Sequence, residues 1–379
     1  MFQYQLNHRF FAQVPNGIEE LAGMELAELG AERVRTAYRG VYFDAGKAVL
    51  YKITYGARLA TRVLAPLLTF RCHSSDYLYK KSREITWEEF FTADHTFSVF
   101  ANVTQSKLHH SQYAALRLKD AVVDSFRERF NRRPSVNRND PDVWIGLYIE
   151  RDKATISLDT AGGSLHRRGY REEGGEAPMQ EITAAAVIRL SEWDGSKPLY
   201  DLMCGSGTLL NEALMAYCRI PGSYRRERFG FQFLPDYDEP VWLAVRKELD
   251  EAVREPCQGL ISGSDVSEAA VASARKNMTG LPFGDRVSLK VSDFRNITEL
   301  RNQVILCNPP YGIRLDPGRD LGPLYKDLGD FLKRRCPGSS AFIYFGNRQW
   351  IRHVGLKPSW KKALKSGGLD GRLVKYEIY

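Results

Sequence analysis

A series of short apolar segments, each divided from the next by a stretch of helical periodicity, constrains this chain more than any other feature. Leu199–Met203, Gly259–Gly263, Val287–Val291, Val304–Cys307 and Ala341–Phe345 all read as strands. None alternates cleanly between apolar and polar residues, so both faces of each are covered. Apolar strands separated by helices form a parallel sheet with helices on its two sides, which makes residues 178–379 an α/β unit. An Asp370-Gly371 turn leads into Leu373–Tyr379 as a hairpin-like finish.

The preceding residues have a different rhythm. Phe10–Val14 is a short strand broken by Pro15-Asn16-Gly17. Ile18, Leu21, Ala22, Leu26 and Leu29 follow with helical spacing, and Gly30 stands where a helix ends. Alternating strands are expected around Val41–Phe43 and over Phe97–Val103. Residues 111–130 predict an amphipathic helix with Ala114, Leu118, Ala121, Val122 and Phe126 on one side. Trp144–Glu150 and Ala154–Leu158 predict two strands joined by a turn at Arg151-Asp152-Lys153. The Gly- and Arg-rich stretch 161–177 marks the domain boundary. The expected division is therefore 1–65, 66–160, a connector at 161–177, and 178–379.

Composition excludes several classes. With 26% charged and 43% hydrophobic residues, wholesale disorder is ruled out. No segment approaches the roughly 20 apolar residues of a membrane-spanning helix. The N-terminus, MFQYQLNHRFF, lacks the apolar core of a signal peptide, so a cytosolic protein starting at Met1 is expected. The six cysteines are scattered without a CxxC pair, which argues for reduced thiols and against a disulfide framework or a zinc site. His109-His110 has no partner at ligand spacing, so no metal is expected. The formal charge of +8 suits a polyanionic partner without requiring one.

Four motifs carry chemistry. Asp201–Ala213 (DLMCGSGTLLNEA) follows a strand and opens a helix. Gly205 and Gly207 let the backbone approach a ligand closely, and the helix start offers free N–H groups. It is not a P-loop, and a tight turn in any α/β protein would look alike. Asp265 closes a strand where a carboxylate can bind ribose hydroxyls; it is equally placed as a helix N-cap, a role open to Ser267. Asp293 in VSDFRN ends another strand, either as an acceptor for an adenine amine or as a second cap. Asn308-Pro309-Pro310-Tyr311 ends the strand Val304–Cys307. Its two prolines fix the backbone and remove two N–H donors. The Asn308 side-chain oxygen and the Pro309 carbonyl can each accept one N–H of a planar amine, and Tyr311 offers a flat face for stacking. Cys204 and Cys307 flank these motifs without a neighbouring His or Lys and read as buried, inert thiols.

These motifs, in this order, resemble those of class I S-adenosylmethionine-dependent methyltransferases that act on exocyclic amines, over 178–379. The N-terminal half resembles a ferredoxin-like segment followed by a THUMP module. SKLHHSQYAALRLKDAVVDSF and LHRRGYREEGGEAPMQEITAAAVI are the most telling stretches. The sequence is most similar to the THUMP-bearing half of bacterial guanine-N2 large-subunit rRNA methyltransferases. IPGSYRRERFGFQFLPDYDEPVW, between Gly207 and Asp265, looks like an insertion of that group.

The resemblance implies a Rossmann-like, mostly parallel seven-stranded catalytic fold, S-adenosylmethionine as cofactor, and RNA as substrate, with rRNA preferred to tRNA. It implies transfer to guanine N2, with Asn308, Pro309, Pro310 and Tyr311 catalytic. Cofactor contacts are expected from Asp201, Cys204, Gly205, Ser206, Gly207, Thr208, Asp265, Val266, Asp293 and Phe294. Glu181 and Thr183, on the helix starting near Glu181, are expected on the methionine side.

RNA contacts are expected from Arg167 and Arg168 in the connector and from Lys107, Arg132 and Arg133 on the THUMP-like unit. Phe229, Phe231, Phe233 and Trp242 of the insertion read as a local packing cluster, and Arg225, Arg226 and Arg228 as candidate phosphate contacts. Four other readings stay open: a tRNA guanine-N2 enzyme, a DNA adenine-N6 methyltransferase using the same turn, a silent RNA-binding assembly factor, and a dehydrogenase. The last explains the glycine loop but not the Asn-Pro-Pro-Tyr turn.

Overall fold

The computed structural model describes residues 1–172, 179–312, 320–366 and 369–379, so part of the expected connector, from 173, lies outside the described residues. The chain groups into two compact units. Unit one is Met1–Val14, Ala22–Leu165 and Arg226–Lys247; unit two is Pro15–Leu21, His166–Arg225 and Glu248–Tyr379.

In the first 165 residues the elements are α1 (Gln3–Asn7), β1 (Arg9–Gln13), α2 (Glu19–Glu28), β2 (Glu32–Ala37), β3 (Gly40–Asp44), α3 (Lys47–Gly56), β4 (Arg62–Arg71), α4 (Ser75–Ser82), β5 (Thr96–Thr104), α5 (Ser111–Phe130), β6 (Ser135–Val136), β7 (Val143–Glu150) and β8 (Lys153–Asp159). They build one eight-stranded sheet in the order β2-β3-β1-β4-β8-β7-β5-β6. Strand β4 is the joint: it pairs with β1 on one side and with β8 on the other. The division expected at residue 65 thus falls inside β4, because its apolar run continues unbroken apart from a bulge between Pro66 and Leu68. Helix α5 buries Ala114, Leu118, Ala121, Val122 and Phe126, the face its periodicity predicts. Arg151 and Asp152 both have positive φ, 48° and 57°, as a two-residue turn joining β7 to β8 requires.

Residues 226–247 come late in the sequence yet belong to unit one. Phe229 and Phe231 stack at 5.0 Å, and Trp242 lies 5.1 Å from each. The cluster is not local, because Tyr51 and Tyr55 of α3 enter it, at 4.5 Å from Phe231 and 5.4 Å from Trp242. Phe233 stands apart, against His95. The arginines here are structural. Arg226 donates to the carbonyls of Ala161, Gly162 and Ser164, and Arg228 pairs with Asp140 and Asp142.

The later elements are α6 (Glu181–Leu190), β9 (Leu199–Asp201), α7 (Thr208–Cys218), α8 (Glu239–Glu251), β10 (Ile261–Asp265), α9 (Glu268–Thr279), β11 (Ser288–Val291), β12 (Val304–Cys307), α10 (Gly322–Arg335), β13 (Ser340–Phe345), β14 (Trp360–Ala363) and β15 (Arg372–Glu377). The second sheet has seven strands in the order β11-β10-β9-β12-β13-β15-β14. It is parallel except for β15, which runs antiparallel to both neighbours. Strand β10 starts at Ile261 rather than Gly259, because Gly259 has φ +77° and cannot extend the ladder. Tyr325, Leu328, Phe331 and Leu332 of α10 share one buried cluster with Ile305 and Cys307 of β12 and Ile343 and Phe345 of β13. The strand order reverses at β9, flanked by β10 on one side and β12 on the other. The crevice beyond the carboxyl ends of such strands is where an α/β sheet takes a ligand. No helix among the described residues is long and apolar enough to cross a membrane.

Candidate active site

A cavity of about 580 Å³ opens at that switch point. The turns after β9, β10, β11 and β12 all contribute to its wall.

The turn after β9 is held by backbone bonds and by Asp265. Cys204 N–H donates to the Ser264 carbonyl at 2.9 Å, and Gly205 N–H to Asp265 Oδ2 at 2.9 Å. Gly205 and Gly207 have φ +53° and +80°, a region costly for side-chain-bearing residues. Gly207 does not line the cavity. Its Cα faces α9, where a Cβ would come within 3.0 Å of Ala274 Cβ. Cys204, Gly205, Ser206 and Thr208 do line it.

Asp201 is 1% exposed. Its Oδ1 accepts from Met203 N–H at 3.2 Å, while Oδ2 is buried without a partner among the described residues. Burial pushes this carboxyl up to about 8, helped by the Asp265 charge and opposed by the Met203 bond. Burial also pushes the Cys204 and Cys307 thiols up, so both stay protonated and inert.

Asp265 is not the cap of α9. Ser267 Oγ caps it, accepting from Ala270 N–H at 3.2 Å, while Asp265 Oδ1 accepts from Ser267 N–H at 2.9 Å. Each Asp265 oxygen therefore keeps a second lone pair, and the residue lines the cavity beside Val266. Asp293 is a cap and also reaches the cavity. It caps the short turn Phe294–Asn296, pairs with Arg295 at 2.8 Å, and lines the cavity with Phe294.

Asn308, Pro309, Pro310 and Tyr311 also line the cavity. The Tyr311 hydroxyl donates to Asn308 Oδ1, which fixes the amide with its oxygen toward the ring and leaves one lone pair on that oxygen. The ring lies over Gly346, where a Cβ would come within 2.4 Å of it. Burial holds the Tyr311 hydroxyl protonated.

Besides Gly207, three residues expected to contact cofactor or RNA are placed elsewhere. Glu181 and Thr183 do not line the cavity. Glu181 is spent on Arg171 at 2.9 Å and Thr183 on Ser366 at 3.0 Å, and Met179 and Gln180 before the helix take their place. Arg168 is buried, its guanidinium 3.2 Å from a Glu212 carboxylate that is also buried, so it cannot meet a phosphate. Arg167, Lys107, Arg132 and Arg133 are exposed, Arg132 beside Asp94. Among the described residues no three His, Cys, Asp or Glu side chains come together as a metal site.

Comparison with known proteins identifies the domains of the chain. The model of the RMKL-like methyltransferase domain matches residues 168–375, that of the THUMP domain 72–159, and that of the RlmL ferredoxin-like domain 9–64. The Synechocystis sp. protein slr0064, by name a provisional RNA methyltransferase, is 37% identical over 98% of this chain and 97% of its own. Ribosomal RNA large subunit methyltransferase K/L of Syntrophotalea carbinolica is also 37% identical over 98% of this chain, but over 53% of its own. The chain thus spans about half the length of that relative. The crystal structure of SMU.472 with bound S-adenosylhomocysteine superposes with a TM-score of 0.86 at 31% identity, covering 98% of both chains. On the domain match, the full-length relatives and the shared fold, the chain belongs to the RMKL-like family of S-adenosylmethionine-dependent class I methyltransferases, in its THUMP-bearing form.

Proposed function

We propose that the chain methylates the exocyclic N2 of a guanosine in RNA, with large-subunit rRNA as the substrate. One observation carries the reading: the Asn308–Tyr311 turn shares a single cavity with the glycine loop and with three strand-end carboxylates. Supporting it are the THUMP match and the rRNA methyltransferase relatives.

The residues fit the cofactor. The unpartnered Oδ2 of Asp201 suits an ammonium group, the remaining Asp265 lone pairs a ribose diol, and Asp293 an adenine amine. S-adenosylmethionine supplies an electrophilic methyl group whose leaving thioether is neutral, so no strong base is needed. The protein's task is geometric and electrostatic. The lone pair of guanine N2 is delocalised into the ring. Asn308 Oδ1 and the Pro309 carbonyl, accepting one N–H each, would aim it out of that plane. They would also meet the positive charge as it develops on nitrogen, a contact worth about 3–4 kcal/mol where comparable groups have been removed. Tyr311 would stack on a base turned out of any helix, contributing about 1–3 kcal/mol. An amide cannot take the proton, so after transfer it leaves to water.

Inosine lacks the 2-amino group. RNA transcribed with inosine in place of guanosine should accept no label from methyl-labelled cofactor, while the guanosine transcript does. Equal labelling of both overturns the N2 assignment.

A further inference from the structure

The three carbonyls of the Pro309-Pro310-Tyr311 turn have different fates. Pro310 O accepts the Tyr325 hydroxyl at 2.9 Å. Tyr311 O accepts the Trp350 indole N–H at 3.2 Å. Among the described residues no donor meets the carbonyl of Pro309, which lines the cavity. The two donors support each other: the Tyr325 and Trp350 rings stack at 5.6 Å and 6°, and Tyr325 also stacks on Phe345 at 5.5 Å. Tyr325 is fully buried and Trp350 is 8% exposed.

Packing alone does not explain this pair. Phenylalanine would fill the same cluster without a hydroxyl to satisfy, and a buried Tyr or Trp polar atom left without a partner carries a desolvation cost. Here both partners are carbonyls of the turn. Proline fixes φ, so the direction of each proline carbonyl depends on ψ, and a hydrogen bond to the oxygen restrains ψ. The prolines have removed two N–H groups that would otherwise tie the turn down, and the Tyr311–Asn308 bond engages side chains only, so the carbonyls are restrained from outside the turn.

We propose that Tyr325 and Trp350 are positioning residues for methyl transfer, holding the Pro310 and Tyr311 carbonyls so that Pro309 O and the Asn308 amide are left for the substrate amine. The proposal rests on the reading of Asn308 and Pro309 as acceptors. Neither ring touches the reacting atoms; both act through the turn.

Tyr325→Phe keeps the ring and its stacking and removes one donor; Trp350→Phe removes the other donor independently. In single-turnover methyl transfer to RNA, each should lower the rate by about tenfold or more, since an error of about 1 Å at reacting groups costs about a hundredfold. Affinities for S-adenosylhomocysteine and for RNA should stay at the wild-type level, a split that loss of general stability would not produce. In an Asn308→Ala background the Tyr325→Phe factor should shrink, because both changes act on one contact. Wild-type rates in both Phe variants, beside a crippled Asn308→Ala, overturn this proposal alone. So does an undiminished Tyr325→Phe factor in the Asn308→Ala background. A wild-type rate in Asn308→Ala overturns the acceptor reading itself.

Discussion

The backbone N–H of Gly205 donates to the carboxylate of Asp265 at 2.9 Å, tying the turn after β9 to the end of β10. One side chain thus shapes the glycine loop and faces the cofactor cavity. Asp265→Ala should weaken S-adenosylhomocysteine binding about 10- to 100-fold, from the loss of one or two charge-assisted hydrogen bonds. Titration calorimetry reads this directly, and an unchanged affinity would reduce Asp265 to a loop residue.

Asp201 sets a pH dependence. Its folded-state value, near 8, lies above the 3.8 of the free carboxyl, so between these the folded chain holds a proton that the unfolded chain has lost. Stability therefore falls as pH rises through this window, by up to about 1.4 kcal/mol per pH unit from this group. A cationic ligand group at Oδ2 favours the ionised form, so S-adenosylhomocysteine should bind more tightly at pH 8 than at pH 6. Asp201→Asn should remove both slopes. An Asn variant that keeps the wild-type slopes would show that another group titrates.

The two loop glycines should differ. Gly205→Ala meets no atom within 4 Å and bears only the left-handed conformation, whereas Gly207→Ala adds a contact 3.0 Å from Ala274. The conformational cost is about 1–2 kcal/mol for each. Thermal melts should place Gly207→Ala clearly below Gly205→Ala, and equal midpoints would mean that α9 yields without cost.

Arg168 should behave as a core residue. Arg168→Met leaves Glu212 buried without its cation, and breaking such a pair typically costs about 3–5 kcal/mol. Denaturant melts should show this loss. By contrast, Lys107→Ala or Arg133→Ala should leave stability alone and flatten the salt dependence of RNA binding, by about 0.7 in slope per lost phosphate contact. A stable Arg168→Met with a flattened salt slope would restore Arg168 to the RNA surface.

What the sequence made legible shares a physical cause. The strand-end motifs impose their conformation locally: Gly205 through positive φ, and Pro309-Pro310 through fixed φ and missing donors. Their places in the wall therefore follow from a few neighbouring residues. Contacts set by distant chain segments were not legible. Arg168 looks like any connector arginine until Glu212, 44 residues on, is folded against it. Tyr325 and Trp350 lie beyond the turn they hold, in stretches with no motif. Glu181 sits at a helix start where a ligand contact is plausible, and only the position of Arg171 shows that its carboxylate is taken. Strand β14 escaped because its Lys361, Lys362 and Ala363 are exposed and leave no alternation to read. The grouping of 226–247 with unit one escaped because aromatic spacing shows that rings cluster, not which rings they meet.

The most direct test is methyl transfer from labelled S-adenosylmethionine to unmodified large-subunit rRNA, tRNA and DNA, followed by nucleoside mass spectrometry. N2-methylguanosine is expected, in rRNA and not in the other two. N6-methyladenosine, or label entering DNA or tRNA in preference to rRNA, would contradict this.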